Sequence, residues 1–241
     1  MQNGLYVALS GQVALERRLN TIADNVANMS TVGFRATGVH FEDLVTGRGA
    51  DAVDFASAGG TYLSARQGGL TRTGNAFDFA VQGEGWFAID TPAGVAMTRD
   101  GRFQLNDAGD LVTLEGHPVL DAGLAPIQLD PAAGPPEAGQ DGSLRQDGRP
   151  MGAIGLFTFD AGPEVRRWGN SGVIPLGPPE PLVDTLDAGV RQGFVEEANV
   201  NPVLEMTRLI AVQRAFEAAA ATVRDTEASL DDAVKTLGAT R

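Results

Sequence analysis

Hydrophobic positions change their period twice along this chain, and the changes divide it into three parts. From the N-terminus, apolar or small residues recur at Met1, Leu5, Ala8, Leu15, Leu19, Ile22, Val26 and Met29, a register broken only by Gln12. Steps of three and four align such side chains along one narrow stripe of an α-helix. Near the other end Met206, Leu209, Phe216, Ala220, Val223, Leu230, Val234 and Leu237 keep the same register, with Gln213 and Glu227 as polar interruptions. The second helix has a marked start in NVNPVLEM. Asn201 is suited to cap it, Pro202 to its first turn, and Glu205 to the positive end of its dipole. A run from Pro202 to Leu237 predicts a helix of roughly 54 Å at 1.5 Å rise per residue.

Between the helices the period falls to two. FDFAVQ, WFAID, VAMTRD, RFQL, DLVTL and HPVLD are short alternating runs, separated by the turn sequences QGEG, TPAG, DG, NDAG and EG. This pattern predicts an all-β domain of hairpins. A further β stretch, GAIGLFTFD, follows a loop-like segment in which QDG occurs twice, read here as two hairpin turns. Residues 46–66 sustain no period and read as an extended connector. The expected class is α+β, with a helical arm over 1–35, an extended linker over 36–69, a central β domain over 70–191 and a second helical arm over 192–241. A helix with one apolar stripe is marginal alone, so the two stripes are expected to pair with each other or with those of neighbouring chains.

The first stripe stops within NVANMSTVGF, residues 25–34. Ser30 and Thr31 compete for backbone hydrogen bonds and Gly33 can take the left-handed conformation of a helix stop, which leaves Phe34 to anchor the turned chain against a neighbour. Asn25 and Asn28 adjoin the stripe, where an amide can fix register.

Composition narrows the function. The 241 residues contain no cysteine, so disulfides, thiol nucleophiles and cysteine metal sites are absent. No apolar run approaches the ~20 residues that span a bilayer, and the N-terminus lacks the basic and apolar regions of a cleaved signal peptide. The net charge of −13 belongs entirely to residues 36–198, with 1–35 at +1 and 199–241 at −1. An acidic middle and a single lysine, Lys235, argue against nucleic acid and anionic membrane as partners.

Candidate chemistry is sparse. His40 and His117 stand without a clustered ligand set, so neither a metal site nor a catalytic base is expected. GNSG at 169–172 lacks the context of a nucleophile turn, and GEG at 83–85 is not followed by a dinucleotide-binding helix. NDAGDLVTLE has the wrong spacing for a calcium loop and reads as a hairpin. No catalytic, cofactor or metal residue is assigned.

The two ends carry a resemblance. TIADNVANMSTVGFR, residues 21–35, is similar to the N-terminal signature of the flagellar axial proteins, the rod and hook subunits, through Asn25, Asn28, Ser30, Thr31, Gly33 and Phe34. QGFVEEANVNPVLEMTRLIAVQRAFE, residues 192–217, resembles the second signature, and GGLTRTGNAFDFAVQGEGWFAI and MTRDGRFQLNDAGDLVTLEGHPVL resemble the β-region blocks. Chain length, the opening GLYVALSGQ and the brief tail look most like proximal rod subunits, with distal rod subunits sharing every motif.

The resemblance implies a non-enzymatic structural subunit of the flagellar basal-body rod, without cofactor. Such subunits leave the cytoplasm through the flagellar type III export apparatus, without a cleaved signal, and polymerise with copies of themselves and other rod subunits. The helical tube so formed carries motor torque across the periplasm, with the terminal helices as an inner coiled-coil layer and the β domain outside. The expected assembly interface comprises Leu15, Leu19, Ile22, Asn25, Val26, Asn28, Gly33 and Phe34 near the first motif, and Asn199, Asn201, Pro202, Glu205, Met206, Leu209, Gln213, Phe216, Val223 and Leu230 near the second. Two rival classes are a free-standing coiled-coil scaffold displaying a β domain, and a carbohydrate-active enzyme on a helical stalk.

Overall fold

The computed structural model describes residues 2–46, 53–183 and 188–238, and their side chains except those of 2–7, 41–46, 53–58, 227, 230–234 and 236–238. The chain forms two compact units, and both are discontinuous in sequence. One comprises Met1–Ala27, Thr37–Tyr62 and Asn201–Arg241; the other comprises Asn28–Ala36 and Leu63–Val200.

The first unit holds helix α1, Gln2–Ala27, and helix α2, Pro202–Gly238, which pack against each other. It also holds a two-stranded sheet of β1, Thr37–Thr46, and β2, Val53–Leu63, with β1 packed against α1. This sheet replaces the linker expected over 36–69. The strands lack sustained alternation because residues such as Gly38, Gly59 and Gly60 interrupt it. At Gly38 the reason is packing: a Cβ there would lie 2.3 Å from the Tyr62 ring.

The second unit is entirely β. In chain order its strands are β3 Leu70–Arg72, β4 Phe79–Gln82, β5 Trp86–Thr91, β6 Gly94–Thr98, β7 Phe103–Leu105 and β8 Leu111–Thr113. There follow β9 Glu137–Ala138, β10 Ser143–Gln146, β11 Arg149–Ala153, β12 Leu156–Thr158 and β13 Arg166–Trp168. The last are β14 Gly172–Ile174, β15 Glu180–Pro181, β16 Gly189–Gln192 and β17 Phe194–Glu196. A six-stranded sheet runs β13-β14-β6-β5-β12-β15, a smaller one runs β11-β10-β9, and β16-β4, β17-β3 and β7-β8 form pairs.

The hairpins follow the turn chemistry. TPAG joins β5 to β6, and Asn106 closes NDAG by accepting the N–H of Ala108 at 3.0 Å and of Asp110 at 2.8 Å. The two QDG turns flank β10, the second with Asp147 and Gly148 both at positive φ, as a tight hairpin requires. Strand β5 is covered on both faces: Phe87 and Ile89 join Phe79, Val81, Phe103 and Leu111 in the main core, while Ala88 joins Met97, Leu120 and Phe157.

The expected arm boundaries at 35 and 192 also shift. Residues 28–36 and 192–200 fold with the β unit rather than with the helices.

Candidate assembly site

Helix α1 ends at Ala27, and a turn carries the chain away: the Thr31 N–H donates to the Asn28 carbonyl at 3.0 Å and the Phe34 N–H to that of Thr31 at 3.2 Å. The Thr31 hydroxyl reaches Asn28 Oδ1 at 3.2 Å. Gly33 has φ of +70°, and a Cβ there would lie 2.2 Å from the Asp100 nitrogen, so only glycine fits. Its N–H donates to the Glu196 carbonyl at 2.7 Å. Phe34 is 1% exposed, with the Arg167 guanidinium 4.3 Å from its ring centre. The ring is therefore enclosed by its own chain, which corrects the expectation that it anchors a neighbour.

The signature asparagines also work within the chain. Asn25, buried on α1, donates through Nδ2 to the Thr37 carbonyl at 2.9 Å and accepts the Thr37 N–H at 3.0 Å. One amide thus satisfies both backbone groups at the start of β1, as a strand partner would, rather than fixing register between helices. Asn199 accepts the Ala36 N–H at 2.6 Å and donates to the Arg66 carbonyl at 2.7 Å, joining three segments of the β unit. Asn201 caps α2 as the sequence indicates, accepting the Leu204 N–H at 3.1 Å, and Pro202 is the first helical residue.

The β unit holds a charge cluster that sequence reasoning missed. The Glu196 carboxylate receives Arg35 Nη2 at 2.8 Å and Arg99 Nη1 at 3.0 Å, and the Gly68 N–H at 3.1 Å. Arg35 also donates to the carbonyls of Ala65 and Arg66, and Arg99 to that of Gly83 at 2.9 Å. Both guanidinium carbons lie near the Trp86 ring, at 5.7 and 5.4 Å. Burial pushes the Arg99 guanidinium down to about 10, against the opposing pull of Glu196, and lowers Arg35 in the same sense. A pKa near 10 still leaves Arg99 charged at neutral pH. The signal was present, since GFR, MTRD and GFVEE hold these residues, but charges in polar-looking turns read as solvated surface.

The helical unit divides its apolar residues between two faces. Ile22 and Val212 are buried, and Leu15, Leu19, Val26, Leu209, Phe216 and Val223 are partly buried. Glu205 is buried and holds Arg208 at 2.6 Å, while Gln213 and Met206 are exposed. The side chain of Leu230 lies outside the described residues. A second stripe faces outward: Val203, Met206 and Ile210 on α2 are 75, 46 and 54% exposed, and Leu9 and Val13 on α1 are 49 and 47% exposed.

Among the described residues no three His, Asp or Glu side chains gather to hold a metal, and no helix is long and apolar enough to cross a membrane.

Three family models match in order along the chain. Flagella basal body rod protein covers residues 5–35, the D1 domain of flagellar hook protein FlgE/F/G covers 80–148, and the C-terminal region of flagellar basal body rod FlgEFG protein covers 191–236. Full-length relatives agree: the chain is 66% identical to the flagellar basal-body rod protein FlgF of Mesorhizobium japonicum, covering 99% of both chains. It is 53% identical to FlgF of Rhizobium meliloti over 100% of both. The chain belongs to the flagellar basal-body rod protein family. Within that family it resembles FlgF more than FlgG: identity to FlgG of Bacillus subtilis is 31%, over 90% of this chain and 92% of that one. As a rod protein it is a structural subunit of the flagellum. The buried cluster takes one residue from each matched region, Arg35, Arg99 and Glu196.

Proposed function

We propose that this chain is a non-enzymatic subunit of the proximal flagellar rod, polymerising through its helical unit into the tube that carries motor torque across the periplasm. The observation that carries the proposal is the outward apolar stripe of Val203, Met206 and Ile210 on α2. About two turns of a capped helix expose their apolar side chains to water in the single chain, and contiguous exposed apolar surface marks a site of association. Leu9 and Val13 extend the apolar exposure to α1. Neighbouring copies and other rod subunits would cover these faces, with α1 and α2 as an inner coiled-coil layer.

The inward stripe has a separate role. Leu15, Leu19, Ile22 and Val26 with Leu209, Phe216 and Val223 hold the two helices to each other, while Leu9, Val13, Val203, Met206 and Ile210 make the contacts between subunits. Higher identity to FlgF than to FlgG favours the proximal over the distal rod. Near-neutral terminal segments allow many helices to crowd, and the acidic middle stays hydrated. Passage through the flagellar type III export apparatus without a cleaved signal completes the reading; secretion assays of a chain lacking residues 1–27 test that step, and unchanged export of such a chain counts against it.

A further inference from the structure

A pocket of about 150 Å³ opens in the β unit where the turn after β8, the β13–β14 turn and the Asp100–Arg102 segment meet. That volume is on the scale of the ~150 Å³ cavity that holds one benzene-sized group, so it suits the tip of one side chain rather than a cofactor. Two charges in its wall cancel: Arg102 grips Asp100 through Nε at 2.9 Å and Nη2 at 2.6 Å. Glu115 remains. Its carboxylate is 64% exposed, and the only basic side chain within 4 Å of it among the described residues is the His117 imidazole, at 3.8 Å. Beside it stands Trp168, held edge-on by His117 with ring centres 5.9 Å apart.

A carboxylate next to an indole attracts a cation that can meet both: a guanidinium or an ammonium pairs with the carboxylate and is drawn to the ring's negative face. An anion would meet uncompensated negative charge, because Arg102 is already occupied. We propose that this pocket receives one basic side chain, presented by a neighbouring rod subunit. The identity of the donor rests on the subunit reading above, whereas the cation preference of the pocket does not.

The test uses the full chain as a monomer and N-acetyl-arginine amide as the probe, followed through the Trp168 indole N–H resonance in NMR and assigned with a Trp168→Phe variant. The expected result is a saturable shift with a dissociation constant on the order of millimolar, as one ion pair and one ring contact can supply. Glu115→Gln, an exposed and nearly isosteric change, is expected to weaken binding several-fold, as is raised salt. The neutral isostere N-acetyl-citrulline amide is expected to give no saturable shift. Equal shifts from the arginine and citrulline amides, retention of binding in Glu115→Gln, or a saturable shift from glucose instead would each overturn the proposal. Because the titration needs no polymer, its result is independent of whether the helices assemble a rod.

Discussion

Arg35 and Glu196, drawn from the two terminal signatures, meet as a buried ion pair at 2.8 Å, with side chains 3 and 1% exposed. Arg99 from the middle of the chain shares the same carboxylate at 3.0 Å. The cluster fixes where each signature enters the β unit. Glu196→Gln leaves two guanidinium groups buried, with only the weaker influence of Glu84 on Arg99 to offset their charge. The expected cost is about 3–5 kcal/mol, the range for breaking a buried pair from one side. Urea denaturation of the β unit, followed by Trp86 fluorescence, reads it; a loss near zero would mean that the carbonyl contacts alone hold the arginines.

Gly33→Ala forces a side chain into a positive-φ position where its Cβ meets the Asp100 backbone at 2.2 Å. Strain of this kind costs on the order of 1–3 kcal/mol, and the backbone must move to relieve the overlap. Amide hydrogen exchange is expected to accelerate at residues 31–36 and at Glu196 and Glu197. An unchanged exchange pattern would contradict the close approach.

Asn25→Ala removes both hydrogen bonds from Asn25 to the Thr37 backbone. Each lost hydrogen bond costs about 0.5–1.5 kcal/mol. Because Asn25 and Thr37 both belong to the helical unit, faster exchange at Thr37 is expected with no change in the urea midpoint of the β unit. A matching fall in that midpoint would show that the two units unfold together.

Much of this architecture is legible in the sequence, because periodicity reports burial directly. The steps of three and four mark the helices, Asn201 and Pro202 mark the start of α2, and the turn sequences mark most hairpins. Two things escape that reading. The β1–β2 pair hides behind glycine-broken alternation, and the stripe rule does not find the apolar side chains that the fold leaves exposed. Met206 belongs to the expected stripe yet is exposed, whereas Ile210, Val203, Leu9 and Val13 fall outside that stripe. The signature residues Gly33, Phe34, Asn25 and Asn199 carry bonds between segments distant in sequence, and spacing along one strand of text says nothing of such pairs.

A protease applied to the monomer is expected to separate the two units at their own boundaries. If the helices open, the resistant fragments retain residues 28–36 and 194–200, because Asn199, Gly33 and the Glu196 cluster hold both segments to the β unit. Mass spectrometry of the surviving fragments checks this. Cleavage between residues 28 and 36 before any cut in the helices would contradict it.

The most direct measurement of the central claim is rod incorporation of Ile210→Asp, scored by immunoblotting of purified basal bodies and by swimming. Ile210 is 54% exposed, so the substitution spares the monomer, whereas a charge at Leu19 or Phe216 would disturb the packing of α1 on α2. Circular dichroism and urea midpoints matching the parent chain, with incorporation and motility lost, are the predicted result. A soluble, normally folded variant that enters basal bodies and swims as the parent does would contradict assembly through the outward face of α2.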